Sequence, residues 1–141
     1  MSEKAFWHSL AKNMAKGKYW REATRHEDKM QAGIADVSFV GNNGKHGWIE
    51  LKQINEWPVR PTTLVRMPHF TDAQRIWLKR KGEAGGNTWI LVKIDRDVLL
   101  FHWEYAPLLG FLDGQNIMGY AAGIWKNRVD YEELGKLLCG Q

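Results

Sequence analysis

The chain has 141 residues, 44% of them apolar, which suits one compact domain and leaves too little for two that each build a core. Twenty Lys and Arg against sixteen Asp and Glu give a formal charge of +4, a balance compatible with nucleic acid as a partner without singling it out. No apolar run approaches the ~18 residues of a membrane span, the N-terminal stretch interleaves Lys and His with its apolar positions rather than forming a signal peptide, and the single Cys139 excludes an internal disulfide and a cysteine-built zinc cluster, so a reducing, cytoplasmic setting is expected.

Residues 2–16 read as a helix. Ser2 is placed to cap it and Gly17 to end it, and Trp7, Leu10 and Met14 share one stripe at spacings of three and four. Glu3 falls on the same stripe, four residues before Trp7; it either favours the positive end of the helix dipole from a frayed first turn or has a task that packing does not explain. Residues 19–26 read as a short extended segment, Gly33 breaks the chain, and Ile34 to Val40 reads as a strand. Gly41-Asn42-Asn43-Gly44 tolerates the positive φ of a tight turn, and Trp48 to Ile54 returns as a third strand, so an antiparallel hairpin is predicted over residues 34–54. Pro58, Pro61 and Pro68 exclude a central strand or long helix over residues 57–69. Thr71 and Gln74 have the T-x-x-Q spacing of a capping box and open a second helix that ends near Gly82. Two apolar runs, Thr88 to Ile94 and Val98 to Trp103, flank Asp95-Arg96-Asp97 and read as another strand pair; Asp130 to Leu138 reads as a closing helix. The order α-β-β-β-α-β-β plus a tail predicts an α/β (α+β) fold, a mixed sheet flanked by helices.

The informative segment is residues 33–54. Side chains alternate along a strand, so Glu50 and Lys52 point one way and Ile49 and Leu51 the other. Pairing across the turn brings Asp36 towards the Glu50 strand, and two carboxylates and a lysine then converge. Phosphodiester cleavage needs such a set: hard carboxylate oxygens hold a divalent cation, and a lysine offsets charge in the transition state. An E-x-K tripeptide alone says little, and the chain has two, Glu27-Asp28-Lys29 and Glu50-Leu51-Lys52. Only the second lies in an apolar strand behind a Gly-x-x-Asp segment and a turn. The alternative is a Glu–Lys pair on an exposed strand face with Asp36 as a strand-end residue.

The order Gly33-Ile34-Ala35-Asp36, turn, Trp48-Ile49-Glu50-Leu51-Lys52 resembles the PD-(D/E)XK nuclease superfamily, and within it most the VRR-NUC and Holliday-junction-resolvase-like branches found in small phage-type standalone nucleases. Trp57-Pro58-x-Arg60-Pro61, Pro68-His69-Phe70-Thr71-x-x-Gln74 and Gly85-Gly86 extend the likeness, which covers residues 3 to about 103 of a single nuclease domain; residues 104–141 form a C-terminal extension with no matching motif. The resemblance implies a restriction-endonuclease-like fold, an endodeoxyribonuclease dependent on Mg²⁺ (or Mn²⁺), and Asp36, Glu50 and Lys52 as its catalytic set. Ala35 stands where the family usually has proline, which would mainly preset the backbone. The family's first-helix acid corresponds to Glu3, and a polar residue ahead of the Asp motif corresponds to Glu27. Glu27 therefore joins the expected catalytic and metal-binding residues and ranks above Glu3 as the third acid. Gln74 matches a recurrent family position near the site, and helix capping alone explains it equally well.

Phosphate backbone calls for distributed positive charge. Arg60, Arg66 and His69 follow the motif in a proline-stiffened loop and are expected to meet DNA, as are Gln74 and Arg75 at the second helix, where Lys79, Arg80 and Lys81 also cluster. Lys12, Lys16 and Lys18 read as an ordinary solvated face. Trp57 reads as packing against the sheet in preference to wedging between bases. The leading expectation is a homodimeric resolvase cutting branched DNA such as a four-way junction. The alternatives are a nicking or single-strand nuclease of replication or restriction, and a DNA-binding module that has lost catalysis.

Overall fold

The computed structural model describes residues 2–16, 19–27 and 32–140. Gly17, expected to end the first helix, Lys18, and the Asp28-Lys29 part of the first E-x-K tripeptide lie outside them. The elements run α1 (Glu3–Lys16), β1 (Trp20–Arg25), β2 (Val37–Gly41), β3 (His46–Ile54), α2 (Asp72–Glu83), β4 (Thr88–Ile94), β5 (Asp97–His102), β6 (Gly123–Trp125) and α3 (Tyr131–Cys139), with short 3₁₀ turns at Trp103–Tyr105 and Ile117–Tyr120. One sheet holds all six strands in the order β1-β2-β3-β4-β5-β6. Every neighbouring pair is antiparallel except β3 and β4, which run parallel because α2 carries the chain back between them. Among the described residues the fold is α+β, a six-stranded mixed sheet with three helices. Among the described residues no helix is long and apolar enough to cross a membrane.

Both faces of the sheet are covered. On one side Phe6, Leu10 and Met14 of α1 and Leu134, Leu138 and Cys139 of α3 pack on Val37, Ile49, Leu51, Leu91 and Leu100. On the other, Trp77 and Leu78 of α2 join Val65, Met67, Phe70, Leu109 and Ile117 over Ile90, Val92, Leu99 and Phe101. Burying each such Leu, Ile or Phe contributes roughly 1.5–3 kcal/mol, so the two apolar layers set the position of every strand between them. Strands covered on both faces read as near-continuous apolar runs, and β4 (TWILVKI) does. In β3 the same run is interrupted by Glu50 and Lys52.

Four expectations change in detail. β2 starts at Val37, so Ile34, Ala35 and Asp36 lead into the strand from outside it, while β3 begins earlier, at His46. Trp103 belongs to a 3₁₀ turn instead of β5, and its ring lies directly over Gly82 of α2, where a Cβ would have no room. On α1 the buried stripe is Phe6, Leu10 and Met14, with Trp7 packed at its margin. The tail is part of the core: Trp125 sits in the sixth strand and is buried beneath the α1 and α3 layer, and Tyr131 packs against the same cluster.

Cys139 is fully buried, and burial pushes its thiol up from the ordinary value against a smaller opposing pull from Lys45. Ellman's reagent is therefore expected to leave the native protein unmodified and to titrate one thiol in denaturant. Rapid reaction of the native protein would mean that α3 does not stay docked.

Candidate active site

The site is built by the hairpin and the start of α2. Val37 pairs with Ile49, and continuing that register by one residue sets Asp36 across from Glu50. Asp36 Oδ2 accepts the Leu51 backbone N–H at 2.8 Å, so the carboxylate holds the mouth of the hairpin where the ladder ends. Ile49 and Leu51 turn into the layer of α1 and α3, which leaves Glu50 and Lys52 facing α2. All three polar residues are withdrawn from water: Asp36 is 8% exposed, Glu50 0% and Lys52 5%. An exposed surface pair is thereby excluded.

Lys52 Nζ is held from several sides. It lies 3.3 Å from Glu50 Oε2, donates to the His69 carbonyl at 3.2 Å and to Gln74 Oε1 at 3.0 Å, and stands 5.0 Å from the centre of the Phe70 ring. Gln74 also closes the predicted capping box. Its Oε1 accepts the Thr71 N–H at 3.0 Å, and its own N–H donates to Thr71 Oγ1 at 3.2 Å. Capping and a place at the site are thus one arrangement, in which the oxygen that caps α2 also aims the lysine. Gly33 brings the hairpin to this helix. Its φ of +81° suits glycine, and its Cα lies so close to the Ala73 carbonyl that no Cβ would fit.

The other expected residues are placed as follows. Glu27 is exposed and lies 3.7 Å from Arg25. Glu3 is half-buried in the first turn of α1. Among the described residues no group of three or more His, Cys, Asp and Glu is arranged to hold a metal, so neither acid is brought into such a group with Asp36 and Glu50. Arg60 and Arg66 are exposed and have no ion pair or side-chain hydrogen bond among the described residues. His69 is exposed and contributes its carbonyl to Lys52. Arg75 is turned inward: it stacks 4.1 Å from the Phe70 ring centre, donates to the Phe70 carbonyl at 3.3 Å and also donates to the Ala106 carbonyl. Burial lowers its pKa from the ordinary arginine value, partly offset by Asp72. Lys81 lies over the Trp48 and Trp77 rings. Lys12 and Lys16 are exposed on α1, across the sheet from Glu50.

Sequence reasoning passed over His26 and left the role of the tail open. The His26 N–H donates to the Asp36 carbonyl at 2.7 Å, its Nε2 is 2.8 Å from Ser38 Oγ, and its ring packs on Trp48. The signal was the pairing of β1 with β2, which ends at Arg25 opposite Val37 and sets the next residue beside Asp36. The proline-rich loop is clamped by the tail: Val65 N–H donates to the Leu112 carbonyl at 2.8 Å, Gln115 N–H to the Pro61 carbonyl at 3.0 Å and Gly114 N–H to the Thr63 carbonyl at 3.3 Å. Trp57 is half-buried, and its indole N–H donates to Asp97 at 2.8 Å.

Two adjacent carboxylates are a hard-oxygen donor set that suits Mg²⁺, which keeps several waters and commonly takes one or two protein carboxylates together with substrate phosphate. The residues present fit such an ion. In comparisons with known proteins, no family model and no curated protein matches the chain.

Breaking a buried ion pair by removing one partner costs about 3–5 kcal/mol, whereas replacing both by apolar groups of similar volume is often neutral. Lys52→Met alone should lower the urea unfolding free energy by about 3 kcal/mol, and adding Glu50→Leu should restore most of it. Additive losses in the double variant would show that the two charges are not coupled.

Proposed function

We propose that the chain is a metal-dependent endodeoxyribonuclease of the PD-(D/E)XK type with a restriction-endonuclease-like fold. The observation that carries this reading is the burial of Asp36, Glu50 and Lys52 together on the α2 side of the hairpin. Burying two carboxylates and an ammonium side by side adds little to stability, whereas phosphodiester hydrolysis needs that combination.

Asp36 and Glu50 would hold Mg²⁺ or Mn²⁺, which when bound neutralises charge on the scissile phosphate and lowers the pKa of a coordinated water. The chain's own contribution is positioning. Lys52 Nζ would offer a fixed positive charge to the phosphate oxygens as negative charge builds in the transition state. Gln74 Oε1 and the His69 carbonyl keep that ammonium from swinging away, so its orientation costs nothing at the moment of reaction. Asp36 is itself oriented by the Leu51 N–H. Arg60 and Arg66, exposed on a clamped loop, would neutralise flanking phosphates and make binding fall with salt. Glu27 and Glu3 stay candidates for a third acid only if DNA or metal draws their side chains inward.

We take the substrate to be branched DNA, the chain acting as a structure-selective endonuclease; a junction resolvase needs two symmetric cuts and so two copies of the chain. The test sets four-way junction, linear duplex and single strand against the protein with Mg²⁺, Mn²⁺ or EDTA, with Asp36→Asn alongside. Cleavage should require metal and should fall in the variant by more than the ~10–100-fold typical of disturbing a metal's outer shell. Binding without any cleavage would identify a DNA-binding module instead.

A further inference from the structure

Phe111 is a large aromatic left 64% exposed in a tail segment that fully buries Leu109 before it and Ile117 after it. Its position is fixed. Gly110 precedes it at φ +100°, its N–H closes a turn on the Leu108 carbonyl at 2.9 Å, and Leu112 after it is tied to Val65. The ring centre lies 5.7 Å from the Arg75 guanidinium. With Arg66, Phe70 and Arg75 it lines a groove of about 510 Å³. A second groove of about 620 Å³, bordered by Trp57, Arg60 and the fully exposed Val59, shares Arg66 with the first. Glu56 and Asp72 are the acids on these walls, against the exposed Arg60 and Arg66 and the inward-turned Arg75. Phe70, buried at the wall of the first groove, contacts Arg75 there and Lys52 of the candidate site with the same ring.

We propose that Phe111 is a stacking platform for an unpaired base, and that the groove through Arg66 takes single-stranded DNA beside the scissile bond. The inference rests on the nuclease reading for its direction, because Phe70, which lines the first groove, also contacts Lys52. A positive track combined with aromatic faces is the pattern that holds single strands: arginines follow the phosphates and any base offers a π-face. Continuous duplex hides its base faces in the stack and meets protein through phosphates and base edges. An exposed ring beside the arginines therefore has a partner only where bases are unpaired, as at a flap, gap or frayed junction arm.

The test is fluorescence anisotropy in EDTA, where nothing is cut, with a labelled dT oligonucleotide and a blunt duplex of equal length. Phe111→Ala should bind the oligonucleotide about tenfold more weakly, the loss of one stacked base, with duplex binding unchanged, and Phe111→Trp should restore it. Because the ring is exposed, both variants should melt like the parent. Equal losses on the two DNAs, or none on either, would overturn the platform. Cleavage separates the two ideas. Metal-dependent cutting with no dependence on Phe111 for unpaired DNA removes the platform and keeps the nuclease. A Phe111-dependent preference for single strand, with no cutting in Mg²⁺ or Mn²⁺, removes the nuclease and keeps the platform.

Discussion

A carboxylate and an ammonium held out of water on a central strand set the terms for the rest of this molecule. Glu50 is fully buried and Lys52 nearly so, 3.3 Å apart, opposite the apolar Ile90 and Val92 of the neighbouring β4. Leaving either charge without compensation there would cost several kcal/mol. The two charges offset each other, and the surroundings add acceptors for the ammonium: Gln74 Oε1 from the first turn of α2 and the His69 carbonyl from the loop that precedes it. Gly33, the capping box and the proline-rich loop all meet at this point. Each has a local structural reason, and together they deliver polar atoms to one pair of side chains.

The second level of support is the tail. Residues 112–115 bond to the loop at 61–65, and Leu109 and Ile117 fill the core beneath it. Asp97 binds Trp57 from one side and the Asn127 backbone from the other. The loop bearing Arg60 and Arg66 is consequently a fixed surface, with its cations presented to solvent. A loop of this length without such anchors would pay conformational entropy on binding any partner.

Much of this arrangement is legible in the sequence because it is local. The alternation Trp48-Ile49-Glu50-Leu51-Lys52 is enough by itself to assign the two faces of β3, and the packing of Ile49 and Leu51 agrees with it. Thr71 and Gln74 announce the cap at the right spacing, and Gly41-Asn42-Asn43-Gly44 announces the turn. What stays hidden in the sequence depends on distant residues. The start of β2 at Val37 follows from Asp36 using its side chain on β3, which no propensity encodes. The second task of Gln74 needs Lys52 opposite it. The sixth strand is three residues long, with no periodicity to read, and exists because β5 offers it an edge. Glu27, and the site role of Glu3, came from likeness to a family, and among the described residues neither acid joins Asp36 and Glu50 in a group of three or more metal-ligating side chains.

The proposed hydrolysis requires Asp36 and Glu50 together to hold a divalent cation. Anomalous diffraction from crystals soaked in Mn²⁺ tests it most directly, at a concentration that supports cleavage. The expected result is a manganese peak at these two residues, lost in Asp36→Asn. A peak elsewhere on the chain, or none at these residues while cleavage proceeds, would contradict the assignment.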